Sequence, residues 1–155
     1  MIYFGIAALV FALDWYLKDR AEKKLKDDTV REVAKDHILI RKLHNHGIAL
    51  GILKDRPKAV LGGTAAMVAA VFLGLFHLLK NGGNTLQKLG CALMAGGGLN
   101  NLADRRKRGY VTDYFSFNVK CEKLRKLVFN LSDMFILLGA ILTVSGELKK
   151  NIKKS

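Results

Sequence analysis

The sequence predicts an all-α membrane protein with four transmembrane helices, on two observations. Half of its 155 residues are hydrophobic and a quarter are charged, but the charges are gathered between apolar blocks rather than spread through them. The blocks also approach the length of a bilayer crossing, because a hydrocarbon core about 30 Å thick takes roughly 20 helical residues, or about 17 at the short limit. A soluble helical bundle is the alternative. A helix apolar on all sides must then be central, and several such helices in so short a chain leave little amphipathic surface to surround them.

The first predicted span, residues 2–17, is apolar except for Asp14. It has no basic leader and no Ala-x-Ala cleavage pattern, so it is expected to be retained rather than removed as a secretory signal. The second, residues 59–79, is a run of 21 residues with no charge, in which His77 is the one ionisable group. Pro57 stands just before it, where a helix start tolerates the missing N–H. The third, residues 85–103, reaches span length only by including Gln87 and Lys88, and it ends on Asn100 and Asn101. The fourth, residues 127–146, has Asn130, Ser132 and Asp133 near its start. One integral membrane domain over residues 1–155 is expected.

Between the second and third spans, Lys80-Asn81-Gly82-Gly83-Asn84 is a compact turn, since glycine and asparagine readily take positive φ. Both termini then share a side with this turn, and the two long connections share the other side. In the first connection, residues 20–28 are charged and suit a helical extension or an exposed loop. His37-Ile38-Leu39-Ile40-Arg41-Lys42-Leu43-His44 has the β-branched mixture of one or two short strands. Residues 108–115 of the second connection look turn-like. Gly62 with Ala66, Ala66 with Ala70, Ala92 with Gly96, and the Gly96-Gly97-Gly98 run offer small faces for close helix contact.

Several chemistries are disfavoured. The formal charge of +13 suits anionic phospholipid headgroups beside apolar spans. No nucleic acid is expected, because no groove-reading helix or interleaved aromatics accompany the charge. Cys91 and Cys121 do not make a disulfide framework. His37, His44 and His46 have no recognised metal spacing, so no metal is expected. The glycine run lacks the Lys-Ser or Lys-Thr of a phosphate loop, and Ser132 and Ser145 have no base at helical spacing.

Carboxylates at a membrane edge remain as the functional candidates, because each is costly unless it pairs, protonates or reaches water. Asp14 and Lys18 share a helix face at four-residue spacing, for which an anchoring salt bridge is the simpler account. Asn101 with Asp104 and Asn130 with Asp133 repeat a three-residue spacing. Each asparagine can orient a carboxylate or a substrate backbone, or serve only in caps and helix contacts, and the spacing does not choose. Asp113 lies in the turn-like connection. Two close aspartates would share a proton and activate water against a peptide carbonyl.

These residues resemble the lipoprotein signal peptidase, or signal peptidase II, family of membrane aspartyl proteases. Asp14-Trp15-Tyr16-Leu17-Lys18 is similar to its first motif and Asn45-His46-Gly47-Ile48-Ala49-Leu50-Gly51 to its second. Gly97-Gly98-Leu99-Asn100-Asn101-Leu102-Ala103-Asp104-Arg105 with Gly109-Tyr110-Val111-Thr112-Asp113-Tyr114 resembles the third, and Phe129-Asn130-Leu131-Ser132-Asp133 the fourth. Four motifs in order make a specific signal. The resemblance implies Asp113 and Asp133 as the catalytic pair. It implies that Asn101, Asp104, Arg105 and Asn130 line or brace the site, that Asn45 and Gly47 face substrate, and that Asp14 and Lys18 support it.

It further implies cleavage of a diacylglyceryl-modified prolipoprotein just before the lipidated cysteine, no cofactor, and inhibition by a globomycin-type cyclic peptide. The short strands become a small extracytoplasmic β-sheet and loop region in a multi-pass protein of the bacterial cytoplasmic membrane, and a monomer is expected. Trp15, Leu50, Asn100 and Ser132 depart from the family's usual Gln, Phe, Gly and Ala. An inactive relative that binds lipidated peptides or partner membrane proteins is the alternative.

Topology is contested within the sequence. Eleven Lys and Arg fall in residues 18–56 and eight in residues 105–126, which by the positive-inside tendency puts the long connections in the cytoplasm. The family pattern instead puts both termini there, with the active site near the extracytoplasmic face, in agreement with Lys149, Lys150, Lys153 and Lys154 at the C-terminus. The resemblance is given precedence.

Overall fold

The computed structural model describes residues 1–26, 29–48 and 52–152. Ala49, Leu50 and Gly51 of the second motif lie outside the described residues, as do Asp28, Lys153, Lys154 and the side chain of Lys150. The elements in chain order are α1 (Ile2–Lys24), β1 (Arg31–Val33), β2 (Ile38–Asn45), α2 (Pro57–Lys80), α3 (Thr85–Arg108), β3 (Val111–Phe117), the short α4 (Glu122–Arg125) and α5 (Leu131–Ile152).

Helix α3 is the hub, in contact with α1, α2 and α5. Its glycines allow this. A Cβ built at Gly96 would fall 2.5 Å from the Ala7 carbonyl oxygen of α1, and one at Gly97 would fall 2.7 Å from the Ser132 carbonyl oxygen of α5. Gly90 and Gly139 approach each other in the same way. The Gly96-Gly97-Gly98 run is therefore a packing surface. The face carrying Gly62, Ala66 and Ala70 is exposed instead.

Four long helices form, but among the described residues only two are long and apolar enough to cross a membrane by length and composition: Pro57–Lys80 and Leu131–Lys149. This corrects the expectation of four transmembrane helices. Any 18-residue stretch of α1 contains Asp14, Lys18 and Asp19, because the helix runs on to Lys24 instead of stopping at Leu17. Helix α3 carries Gln87, Lys88, Asn100, Asn101 and Asp104, which offset its apolar positions.

Apolar and polar groups are distributed inside out. Met67, Leu73 and Phe76 of α2 and Leu137, Ile141 and Val144 of α5 are exposed, whereas Asp14, Lys18, Asn100, Asp104 and Asn130 are fully buried. Water would drive the reverse. In lipid the exposed apolar belt costs nothing, and polar groups must find partners inside the protein.

The expected turn at residues 80–84 separates α2 from α3, but α3 runs on to Arg108, beyond the expected end at residue 103. Gly82 takes φ +72, and Asn84 caps α3 in a reciprocal box with Gln87. Gly109 closes α3 in the left-handed region at φ +82, with its N–H on the Arg105 carbonyl. That turn leads into β3, the edge of an antiparallel sheet ordered β1-β2-β3. The strand expected at residues 37–44 is present as β2. Of residues 108–115, expected to be turn-like, those from Val111 on belong instead to the strand β3 (Val111–Phe117) that carries Asp113. Leu43 pairs with Asp113 and Asn45 with Val111, after a register shift between Ile40 and Leu43. Phe129 bridges to Phe115, so the chain stays extended until α5 starts at Leu131 rather than at residue 127.

Candidate active site

The C-terminal ends of α1 and α3 and the N-terminal ends of α2 and α5 meet the sheet at one end of the molecule, and every candidate residue lies there. Lys18 sits deepest. Its Nζ donates to Asn100 Oδ1 and Asn101 Oδ1, each at 2.7 Å. It lies 3.0 Å from Asp104 Oδ2 and 3.3 Å from Asp14 Oδ2, with all three charged side chains fully buried.

Each carboxylate has further partners. Asp14 accepts from the Tyr114 hydroxyl at 2.8 Å, from the Leu131 N–H, and from the Ser132 hydroxyl at 2.5 Å. Asp104 accepts from the Thr112 N–H and pairs with Arg108 at 3.1 Å. This cluster ties α1 to α3, β3 and α5. A buried charge left without such partners would cost several kcal/mol.

Asn101 links the cluster to the surface. An ammonium can only donate, so the Asn101 carbonyl oxygen must face Lys18 and its amide nitrogen must face away. That nitrogen donates to Asp133 Oδ1 at 3.1 Å. The second Asp133 oxygen accepts the Asn130 N–H at 3.1 Å, while the Asp133 N–H donates to Asn130 Oδ1 at 3.0 Å. This is a reciprocal cap on the first turn of α5. With its oxygen so engaged, Asn130 turns its amide nitrogen to Asp113 Oδ1, at 2.7 Å. Asn45 at the end of β2 donates to the other Asp113 oxygen at 3.2 Å and accepts the Gly47 N–H.

Asp113 and Asp133 thus share one bridging residue, Asn130, and both line a cleft of about 430 Å³ together with Asn45, Asn101 and Arg105. Beyond Asp133 the wall continues along the same face of α5 through the apolar Ile136, Leu137 and Ala140. No cation lies within ion-pair distance of either carboxylate among the described residues. Arg105 instead donates to the Gly47 carbonyl at 2.8 Å, clipping the segment after β2 onto α3. Burial, with the Asp133 charge nearby, pushes the Asp113 carboxyl up to about 7, against the weaker pull of the Asn130 and Asn45 amides.

A family model described as signal peptidase (SPase) II matches residues 6–149. The chain belongs to the signal peptidase II family. The lipoprotein signal peptidase of Clostridium tetani is 33% identical over 94% of this chain and 92% of its own length. That of Clostridioides difficile is 30% identical over 91% and 90%. Two solved bacterial membrane enzymes share the fold. One has a TM-score of 0.84 at 23% identity, covering 99% of this chain and 92% of its own. The other has a TM-score of 0.81 at 25% identity, covering 96% and 93%.

Within this signal peptidase II chain the ten candidate residues divide into two connected groups. Asp14, Lys18 and Asp104 form the closed cluster. Asp113 and Asp133 line the cleft, with Asn45, Asn101 and Arg105, and Asn130 joins them. Gly47 serves through its backbone. Two departures from the family pattern prove to be members of the closed cluster: Asn100 accepts from Lys18 and donates to the Phe11 carbonyl at 2.8 Å, and Ser132 donates to Asp14.

Trp15 lies outside the cleft, stacked on Phe11 beneath Lys107 and Arg108. Sequence reasoning did not assign Asn100, Thr112, Tyr114 or Ser132 a supporting role. The four-residue spacing of Asn100 and Asp104 was a usable signal for the first. Among the described residues, no group of three or more His, Cys, Asp or Glu is arranged to hold a metal ion.

Proposed function

We propose that this membrane protein is an aspartyl endopeptidase that removes signal peptides from diacylglyceryl-modified prolipoproteins, cleaving before the lipidated cysteine, with Asp113 and Asp133 as the catalytic pair. The observation that carries this reading is one cleft in which Asn130 holds both carboxyl groups, with amide donors and, among the described residues, no cation at ion-pair distance. Two such carboxylates cannot both ionise cheaply, so one proton is shared between them. The deprotonated partner takes a proton from water as its oxygen attacks the scissile carbonyl. The protonated partner donates to that carbonyl oxygen. Collapse of the tetrahedral intermediate breaks the C–N bond, and the proton held by the base passes to the leaving amine of the cysteine. An Asp113 carboxyl poised at about 7 suits the protonated role near neutrality.

The apolar wall of Ile136, Leu137 and Ala140 would receive the signal segment and the diacylglyceryl chains laterally from the phospholipid bilayer. A globomycin-type cyclic peptide would compete for the same cleft. All of these residues come from one chain, so a monomer suffices. On this reading both termini lie in the cytoplasm and the sheet on the extracytoplasmic face. Labelling of Lys35→Cys, exposed in the β1–β2 hairpin, by a membrane-impermeant reagent in intact cells checks that orientation, and protection of this site until lysis would reverse it.

Purified protein in detergent is expected to cleave a lipidated precursor. Asp113→Asn or Asp133→Asn is expected to lower kcat by at least about a thousandfold, as loss of one member of a unit does. Turnover surviving in either variant would remove the assignment.

A further inference from the structure

The cleft continues on the other side of Asp113. A second depression of about 630 Å³ shares Asn45, Asp113, Leu127 and Val128 with it. A third, of about 310 Å³, is joined to the second through Leu43, Lys126 and Val128. Together they make a groove leading from the carboxylate pair along the outside of the sheet. Its chemistry is unlike that of the α5 wall. Lys54, Lys123 and Lys126 line the nearer part, and Arg41, Lys42 and Lys126 line the farther part. Among the described residues, the only acidic side chain lining either part is Asp113 itself.

Lys54, Lys123 and Lys126 of the nearer part are only partly satisfied among the described residues. Among the described residues Lys54 and Lys123 make no ion pair, and Lys126 has only the exposed Glu122. Arg41 donates to the Arg125 carbonyl at 2.8 Å, and its buried Nε has no hydrogen-bond partner. Lys42 reaches Glu22 at 3.8 Å. Among the described residues, the nearer part therefore carries a positive excess on Lys54 and Lys123, with Lys126 paired only at the exposed Glu122, in a depression that shares Asp113 with the cleft.

A precursor bound with its apolar signal segment on α5 must send the chain that follows the cleaved bond the other way. We infer that the basic groove binds acidic residues of the mature polypeptide just beyond the lipidated cysteine, making this a specificity site for anionic mature termini. The inference rests on the proposed protease reading, and on two features of the groove: its charge and its continuity with the cleft. Partly exposed ion pairs contribute little one by one, but two or three acting together give about a five- to tenfold difference in KM.

The test uses the purified full chain in neutral detergent and two synthetic diacylglyceryl precursors. These are identical up to the cysteine and differ in having Asp and Glu, or Asn and Gln, at the following positions. The expected result is a KM about five- to tenfold lower for the acidic precursor, with the ratio shrinking as salt rises. The ratio should fall to about one in Lys54→Gln/Lys123→Gln/Lys126→Gln and invert when the same three lysines become glutamate. Equal KM values in the unmodified protein, or a ratio that survives the glutamine triple variant, would overturn the inference while leaving the protease reading intact.

A triple-variant defect that depends on added phosphatidylglycerol and not on peptide charge would assign the groove to lipid headgroups, and would also overturn it. Failure of the unmodified protein to cleave either precursor would bring down the protease reading itself.

Discussion

Two aspartate pairs are linked through Lys18 and Asn101, yet their surroundings differ. Asp14 and Asp104 flank a fully buried ammonium, and Asp104 has Arg108 as well. Among the described residues, Asp113 and Asp133 receive only neutral donors, from Asn45, Asn101, Asn130 and the backbone. The first pair is locked by charge compensation and closed to solvent. The second is held in position without having its charge cancelled, and it opens on a cleft. Compensation suits scaffolding, while its absence leaves a proton free to be shared. The difference also gives Asp104 and Asp113 distinct physical roles.

The contrast breaks first at Lys18. Lys18→Met leaves Asp14 and Asp104 buried beside each other without their cation, so stability is expected to fall by about 3–5 kcal/mol. Thermal unfolding in detergent should show this as a large drop in Tm. Asp113→Asn, which removes no ion pair, should leave Tm near that of the unmodified protein or above it. Equal losses in both variants would mean that the two aspartate pairs do the same structural work.

Charge was the easiest thing to read along the chain and the most misleading about spans. The uncharged run at residues 59–79 marks α2 correctly, because a bilayer-length apolar helix has few other uses. Asp14 and Lys18 were legible as a pair from their four-residue spacing. Their real partners, Asn100, Asn101 and Asp104, lie more than 80 positions away and depend on how α1 packs on α3.

Strand β3 escaped notice because Val111, Thr112 and Asp113 are all buried, so the apolar–polar alternation of a half-exposed strand is missing. Without that strand, sequence spacing alone could not bring Asp113 to Asp133. The motif resemblance supplied the pairing, and the sheet and the Asn130 cap supply a physical basis for it.

A second test concerns pH. The Asp113 carboxyl is raised from 3.8 to about 7, chiefly by burial. The folded state therefore holds a proton that the unfolded chain has released between these values. Its contribution to stability is fully present below about pH 4 and is lost as pH rises through about 7. Comparison of Tm across this window should show a decline in the unmodified protein that is smaller in Asp113→Asn. In the same range kcat/KM should fall on the alkaline side as the shared proton leaves. A profile flat from pH 5 to 9 would deny Asp113 the protonated role.

The mildest test lies where the two pairs share the start of α5. Ser132 donates its hydroxyl proton to Asp14, and its backbone carbonyl packs against Gly97. Ser132→Ala removes a single donor from a carboxylate that retains Lys18, the Tyr114 hydroxyl and the Leu131 N–H. One charge-assisted hydrogen bond lost in this way costs about 1.5–3 kcal/mol, measurable by denaturation in detergent. The Asn130 contacts to both site carboxylates do not pass through the Ser132 hydroxyl, so kcat should stay within a few-fold. A fall in kcat comparable to that of Asp133→Asn, with stability retained, would show that the compensated cluster tunes the cleft directly rather than merely holding α1 against α5.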